Sequence, residues 1–389
     1  MTSKLQEKKG AWGGFFLNVD MFLYSHFPND VRPRKEAVIL KSKGHKVRVF
    51  CLRAPGEKRI DFYSESIEVR RVIDATNDSR ISPIKLLFFW IAIICTWSRR
   101  NGHTAIHAHD LSALPAGFVI ALLNRLQLVY DSHELFPEAA RDRYGTIVYF
   151  VFFVLEVICC LRVTALIGVS EAQIRILQHR CRCTAIYLNN YPSLFEIEYS
   201  YHEHIDGPIV FGMSGYLFRT RGHEEVMNAL ELMADDGIDI EFWIVGDGPE
   251  MSRLKEKASS MSYPCRFFGY IDSRKVMWDI VSRFDYAIVA NLPSRNYMVT
   301  SINRTYEYAA LGVPFVSPHY TGVSDILVEL NLPNFTPLDP NSIRHALEIL
   351  MKCHRRSLST KGRQLIKTQF NWEVTSKKLE HLYYLLSNS

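Results

Sequence analysis

What the sequence lacks narrows its class before any motif is read. No Lys/Arg-rich run with interleaved aromatics occurs in its 389 residues, and a net charge of +5 is mild at that length. The charge leaves room for a basic groove around an anionic ligand, but a nucleic-acid partner is not expected. Long apolar runs are missing too. LLFFWIAIICTW, Leu86 to Trp97, is too short to span a bilayer, and TIVYFVFFVLEVICCL, Thr146 to Leu161, carries Glu156 inside and runs into Arg162. The first stretch, followed by Arg99 and Arg100, reads either as a core helix or as a helix lying on an anionic membrane surface. The eight cysteines are scattered, with only Cys159/Cys160 and Cys181/Cys183 close together, and no second ligand pair follows HRCRC, His179 to Cys183, at zinc-like spacing. The opening MTSKLQEKKGAWGG is polar and then glycine-rich, without a secretory pattern, so reduced thiols and a cytoplasmic location are expected.

What is present is a globular composition, 48% hydrophobic and 22% charged, in a chain long enough for two domains with full cores. Strand-like and helix-like segments alternate. VDMFLYSH, KVRVFCL, TAIHAHD, QLVYDSHE and VTALIGVS read as strands separated by helices such as RPRKEAVILKSKGH and LPAGFVIALLNRL. The pattern pauses in SLFEIEYSYHEHIDG and restarts with PIVFGMSG, IEFWIVGDG, CRFFGYI, DYAIVA and VPFVSP. Strands alternating with helices imply parallel sheets covered on both faces, so the fold class is α/β, with two doubly wound domains joined near residue 200. Ligands of such sheets sit beyond the C-terminal ends of the strands.

Three stretches carry candidate chemistry. VGDGPE follows a strand and opens a helix, but Met251 stands where a dinucleotide fingerprint needs its third glycine. In GYLFRTRG, Gly215 ends a strand, and Arg221 and Gly222 precede a helix starting near His223. A glycine turn lets a diphosphate approach the backbone, the helix N-terminus offers free N–H groups, and an arginine adds fixed charge. An ordinary βα turn with surface arginines is the alternative. In NRTYEYAALGVPFV, Glu307 lies on a short helix stopped by Gly312, either on a solvated face or as a placed ligand group. His109 and Asp110 end one strand and His133 follows the end of another, which places them at the ligand end of the first sheet. Acceptor contact or loop capping fits His109 and Asp110. Arg32, Arg34 and Glu36 begin the first helix, as cleft residues or as a charged surface turn.

Taken in order, DVRPRKEAVILKSKGHKVRVFC, AIHAHDLSALPAG, VYDSHE, IGVSEA, GYLFRTRG, WIVGDGPE, FFGYI and NRTYEYAALGVPFV resemble the sugar-nucleotide transferases of glycosyltransferase family 4, from about Val19 to the C-terminal FNWEVTSKKLEHLY. The resemblance implies the GT-B fold, two facing Rossmann-like domains: an acceptor-side domain over 1–195, a nucleotide-sugar domain over 205–370, and a C-terminal helix, 372–389, packing back on the first. It implies a retaining transfer from a nucleoside-diphosphate sugar to a hydroxyl of a sugar or lipid-linked sugar, in polysaccharide or glycoconjugate biosynthesis, with no cofactor and no metal. Glu307 then accepts from the ribose hydroxyls, and Gly215, Arg221, Gly222, Tyr270 and Asn303 complete the donor side. His133 and Arg221 carry catalysis, while Arg32, His109 and Asp110 face the acceptor. Two departures stand out: Val299 replaces a glutamate that often touches the donor sugar, and Tyr216 replaces an arginine after the loop glycine. A sugar-nucleotide epimerase and a catalytically silent partner subunit of the same fold are the alternatives, and 86–97 is the expected site of any peripheral membrane contact.

Overall fold

The computed structural model describes residues 16–75, 83–197, 207–319, 324–336 and 338–388. Much of the pause expected near residue 200 lies outside the described residues. The chain divides into two compact units, one formed by residues up to Asn189 together with Thr375 onward, the other by Asn190–Val374.

In the first unit the order is β1 (Asn18–His26), α1 (Val31–Ser42), β2 (Lys46–Arg53), β3 (Ile60–Tyr63), β4 (Ile67–Asp74), α2 (Pro83–Thr96), β5 (Thr104–His109), α3 (Asp110–Asn124), β6 (Gln127–Asp131), α4 (Phe136–Tyr144), α5 (Thr146–Cys160), β7 (Ala165–Gly168), α6 (Glu171–Gln178) and β8 (Thr184–Tyr187). The strands form one sheet in the order β3-β4-β2-β1-β5-β6-β7-β8, parallel except for the β3–β4 pair. Central strands are buried along their length, which is why they read as continuous apolar runs rather than alternating ones. The strand order reverses between β1 and β5, so the C-terminal ends of β5 and β6 open onto the expected ligand edge.

The two apolar helices are each half in the core. On α2, Leu86, Phe89 and Ile93 form the buried stripe, while Ile84, Leu87, Phe88 and Ile91 are exposed. Trp90 donates its indole N–H to Ser112 O at 2.7 Å. Arg100, expected as a basic neighbour of this helix, instead points inward and shares Asp20 with Arg48, because a buried strand carboxylate demands paired charge. On α5, Phe152 and Glu156 face inward and Ile147, Phe150, Val151 and Val154 face out. Glu156 is answered by the Tyr130 hydroxyl and by Arg180. The expectation of wholly reduced thiols is corrected at one pair: the end of α5 and the segment after α6 bring Cys160 and Cys181 together as a disulfide.

The second unit runs β9 (Ile209–Ser214), α7 (His223–Asp235), β10 (Ile240–Val245), α8 (Met251–Ala258), β11 (Cys265–Gly269), α9 (Arg274–Val281), β12 (Tyr286–Ile288), α10 (Asn303–Leu311), β13 (Phe315–Pro318), α11 (Ser324–Leu330), β14 (Asn334–Phe335), α12 (Pro340–Lys352), α13 (Arg355–Thr368) and the start of α14 (Trp372–Ser387). Its sheet has the order β11-β10-β9-β12-β13-β14, with every described pairing parallel. Here the order reverses between β9 and β12.

Candidate active site

At the switch point of the second unit, the C-terminal ends of β9 and β12 leave an open-mouthed pocket of ≈ 290 Å³ lined by Ser214, Tyr216, Arg221, His223, Asn291, Arg304 and Tyr308 over an apolar floor. Its lining holds two arginines and no carboxylate. Local sequence explains the turn that shapes it. Gly215 has φ 137°, a region closed to residues with a side chain. Gly222 ends the Arg219–Arg221 turn with φ 68°, and a Cβ there would collide with the Ala290 carbonyl oxygen. The VGDGPE segment props this loop: Gly215 N–H donates to Val245 O and Leu217 N–H to Asp247 O, both at 2.9 Å.

Arg221 reaches Asn291 Oδ1 at 3.4 Å and lies over the Tyr297 ring, and its buried Nε has no hydrogen-bond partner among the described residues. His223 opens α7, buried, with its Nδ1 equally unpartnered. Burial, assisted by Arg221, pushes its imidazole down to about 3, so it is neutral. A helix N-terminus, an arginine and acid-free walls make a cavity that attracts an anion.

Glu307 and Arg304 sit one turn apart on α10 and form an ion pair; Arg274 reaches the other carboxylate oxygen at 3.1 Å. The Tyr308 hydroxyl bonds Ser214 N and Oγ, both at 3.0 Å, pinning α10 to the end of β9. Asn303 is exposed as the first residue of α10 and does not line the pocket. Tyr270 also stays out of it: 74% exposed past the end of edge strand β11, it bonds Asp272 at 3.4 Å. Sequence reasoning passed over Arg304, although a basic residue three positions before Glu307 on a helix is a legible signal.

The first unit gathers a different set. Arg32 holds Asp131 through Nε at 3.0 Å and Nη2 at 2.5 Å, stands 3.1 Å from Glu36, and donates to Leu188 O. It is 3% exposed, so the alternative of a charged surface turn is corrected: the guanidinium is drawn inside by two carboxylates. Glu36, His107, His109 and Asp131 place their ligand-capable atoms within 4.8 Å of one another, all buried. These are residues that could hold a cation, although Arg32 already supplies positive charge to both carboxylates. Burial, then Asp131, raises Glu36 well above the usual carboxylate range. Against burial, Arg32 and His133 hold Asp131 well below it. His109, buried beside His107, is pushed down to about 3 and is neutral. Tyr383 of α14 closes the inner end with its hydroxyl 2.9 Å from His107 Nδ1.

Only His133 and Asp110 lead outward, with side chains 22% and 24% exposed. Asp110 takes a left-handed backbone, φ 59°, at the start of α3, and from there accepts the His133 backbone N–H at 2.8 Å and meets the ring Nδ1 at 3.2 Å. Asp131 meets the ring Nε2 at 3.1 Å. Burial alone would lower the imidazole; Asp110 and Asp131 overcome it and hold His133 up to about 9. Both ring nitrogens are thus engaged by carboxylates, so the charge of the ring, not a free N–H, is what it can offer a ligand.

Comparisons with known proteins agree with this layout. Residues 37–188 match the family Glycosyltransferase Family 4, and residues 208–352 match Glycosyl transferases group 1. A GDP-mannose-dependent alpha-(1-6)-phosphatidylinositol dimannoside mannosyltransferase of Mycobacterium tuberculosis is 24% identical over 150 residues, 38% of this chain. The match spans only 36% of that relative's length. Among solved structures, sucrose-phosphate synthase from Thermosynechococcus elongatus is similar with TM-score 0.79 at 16% identity, covering 95% of this chain and 99% of that one. HepE of Anabaena in complex with UDP-glucose is similar with TM-score 0.70 at 12% identity, covering 94% and 99%.

Proposed function

We propose, for a chain whose residues 37–188 match Glycosyltransferase Family 4 and whose residues 208–352 match Glycosyl transferases group 1, transfer of a sugar from a nucleoside diphosphate to an acceptor hydroxyl, with retention at the sugar carbon. One observation carries the reading: the switch-point pocket of the second unit has two arginines, a helix N-terminus and no acid, the requirements of a diphosphate. The bond between the sugar carbon and the β-phosphate oxygen breaks, and its electron pair leaves with the diphosphate. The acceptor oxygen bonds to the same face of that carbon, and its proton passes to the departing phosphate. Arg221 and the N-terminus of α7 meet the charge that builds on the leaving group, so a metal ion is not needed as cofactor. Glu307 accepts from the two ribose hydroxyls with lone pairs left over from its arginine contacts.

On the first unit, the imidazolium of His133 and the Asp110 carboxylate are the groups offered to the donor sugar and the acceptor. A lipid-linked sugar acceptor and a peripheral membrane contact are part of the same proposal. They are supported by the exposed Ile84, Leu87, Phe88 and Ile91 of α2 with Arg99 following, and by the exposed apolar face of α5. Among the described residues no helix is long and apolar enough to cross a membrane.

The test incubates UDP-, GDP-, ADP- and dTDP-linked sugars with the chain, with and without a lipid-linked sugar acceptor, in chelator. Release of nucleoside diphosphate that depends on acceptor supports the proposal. An altered sugar nucleotide without acceptor marks an epimerase, and no turnover of any donor marks a silent subunit.

A further inference from the structure

Arg304 is one of the two cations lining the pocket, and only Arg221 has been given a step in the chemistry above. It arrives from α10 rather than from the glycine turn. Its Nη1 is spent on Glu307, with Met277 Sδ at 3.9 Å, while Nε and Nη2 have no hydrogen-bond partner among the described residues. Nε lies 3.7 Å from where a Cβ on Gly215 would stand, so the open edge of the guanidinium faces the loop whose backbone a phosphate approaches. The next loop side chain, Tyr216, is uncharged and leans on the Phe218 ring with centroids 4.5 Å apart.

We infer that Arg304 is a phosphate-binding residue: one edge of its guanidinium holds Glu307 and the other meets the diphosphate. The inference rests on the sugar-nucleotide reading of this pocket. A sugar nucleotide carries one negative charge on each of its two phosphates, and Arg221 and Arg304 match them in number and sign. A planar fork with five donors can serve a carboxylate and a phosphate together, which an ammonium cannot do with fixed geometry. The ribose carboxylate and the diphosphate are thereby tied through one side chain, so losing Arg304 damages both ends of the donor site.

The experiment titrates the full chain calorimetrically with UDP, GDP, ADP and dTDP and takes the tightest binder forward. Arg304→Gln is expected to weaken that diphosphate by about tenfold to a hundredfold, the worth of one charge-assisted contact. Arg304→Lys, which keeps the charge, is expected to lose less. Adding Tyr216→Arg to Arg304→Gln returns a cation to the same pocket and is expected to recover at least part of the loss. Melting temperatures of all variants check the fold. A parent that binds none of the four diphosphates sinks the sugar-nucleotide reading and this inference with it. If the parent binds and Arg304→Gln binds equally well, the inference alone fails. It fails as well if the Gln and Lys variants lose the same affinity and Tyr216→Arg restores none, because charge is then not what the pocket lost.

Discussion

The two units carry their charges in opposite ways. In the second, Arg221 faces an open cavity with no acid in its walls and pairs with no carboxylate among the described residues, while Arg304 lines the same cavity and shares Glu307 with Arg274, so cationic charge is left for a ligand. In the first, Arg32, Glu36, Asp131, His107 and the neutral His109 gather inside, and what reaches outward is a histidine already clamped by two carboxylates. An uncompensated cation pocket is costly to maintain unless an anion fills it, whereas a self-neutralised network holds its shape without one.

The largest expected effect breaks the cation side of that contrast. Arg221→Ala lowers kcat/KM by about a hundredfold to a thousandfold with an unchanged melting curve, since the lost donor acts on developing charge. Turnover at the parent rate would remove Arg221 from the site. Next, Glu307→Gln weakens nucleoside diphosphate binding about tenfold, because the amide gives up charge and one acceptor oxygen. Equal affinity of variant and parent for UDP, GDP, ADP and dTDP would end the ribose assignment.

The self-neutralised side is sharpened by pH. His133 is raised from 6.5 to about 9, so its contribution to stability is complete below pH 6.5 and lost as pH climbs through 9. His109 and His223 are depressed to about 3, so theirs is present above 6.5 and lost as pH falls toward 3. The histidine contribution to stability should therefore decline on both sides of pH 6.5, and Asp110→Asn should move the alkaline decline down by roughly one pH unit as His133 loses a carboxylate. An alkaline limb that does not move would mean that Asp110 is not what keeps the ring charged. The smallest effect concerns the apolar helices. Replacing Leu87, Phe88 and Ile91 with serine should cut flotation with anionic vesicles at low salt severalfold while leaving the buried stripe of α2 alone. A parent that never floats with vesicles would dismiss the membrane contact.

The alternation of strands and helices was legible because each piece carries its own signal: Ser170 and Ser273 cap α6 and α9, and Gly312 stops α10. The β3–β4 pair was not. Its turn runs through Ser64 and Glu65 at φ 50° and 59°, conformations a reader expects of glycine or asparagine. Arg221, Gly215 and Gly222 were legible for the same local reason, since strand, turn and helix follow one another in sequence. The network in the first unit was hidden by distance along the chain: Arg32 meets Asp131 across 99 residues and His107 meets Tyr383 across 276. Tyr270 and Asn303 belong to recognisable motifs, and both stand outside the lining of the switch-point pocket, as Glu307 does.

The left-handed backbone of Asp110 sets stability against activity at one position. A side-chain-bearing residue there costs about 1–2 kcal/mol that glycine would not. Glycine at 110 would remove that cost, and with it the carboxylate that holds both the main chain and the ring of His133.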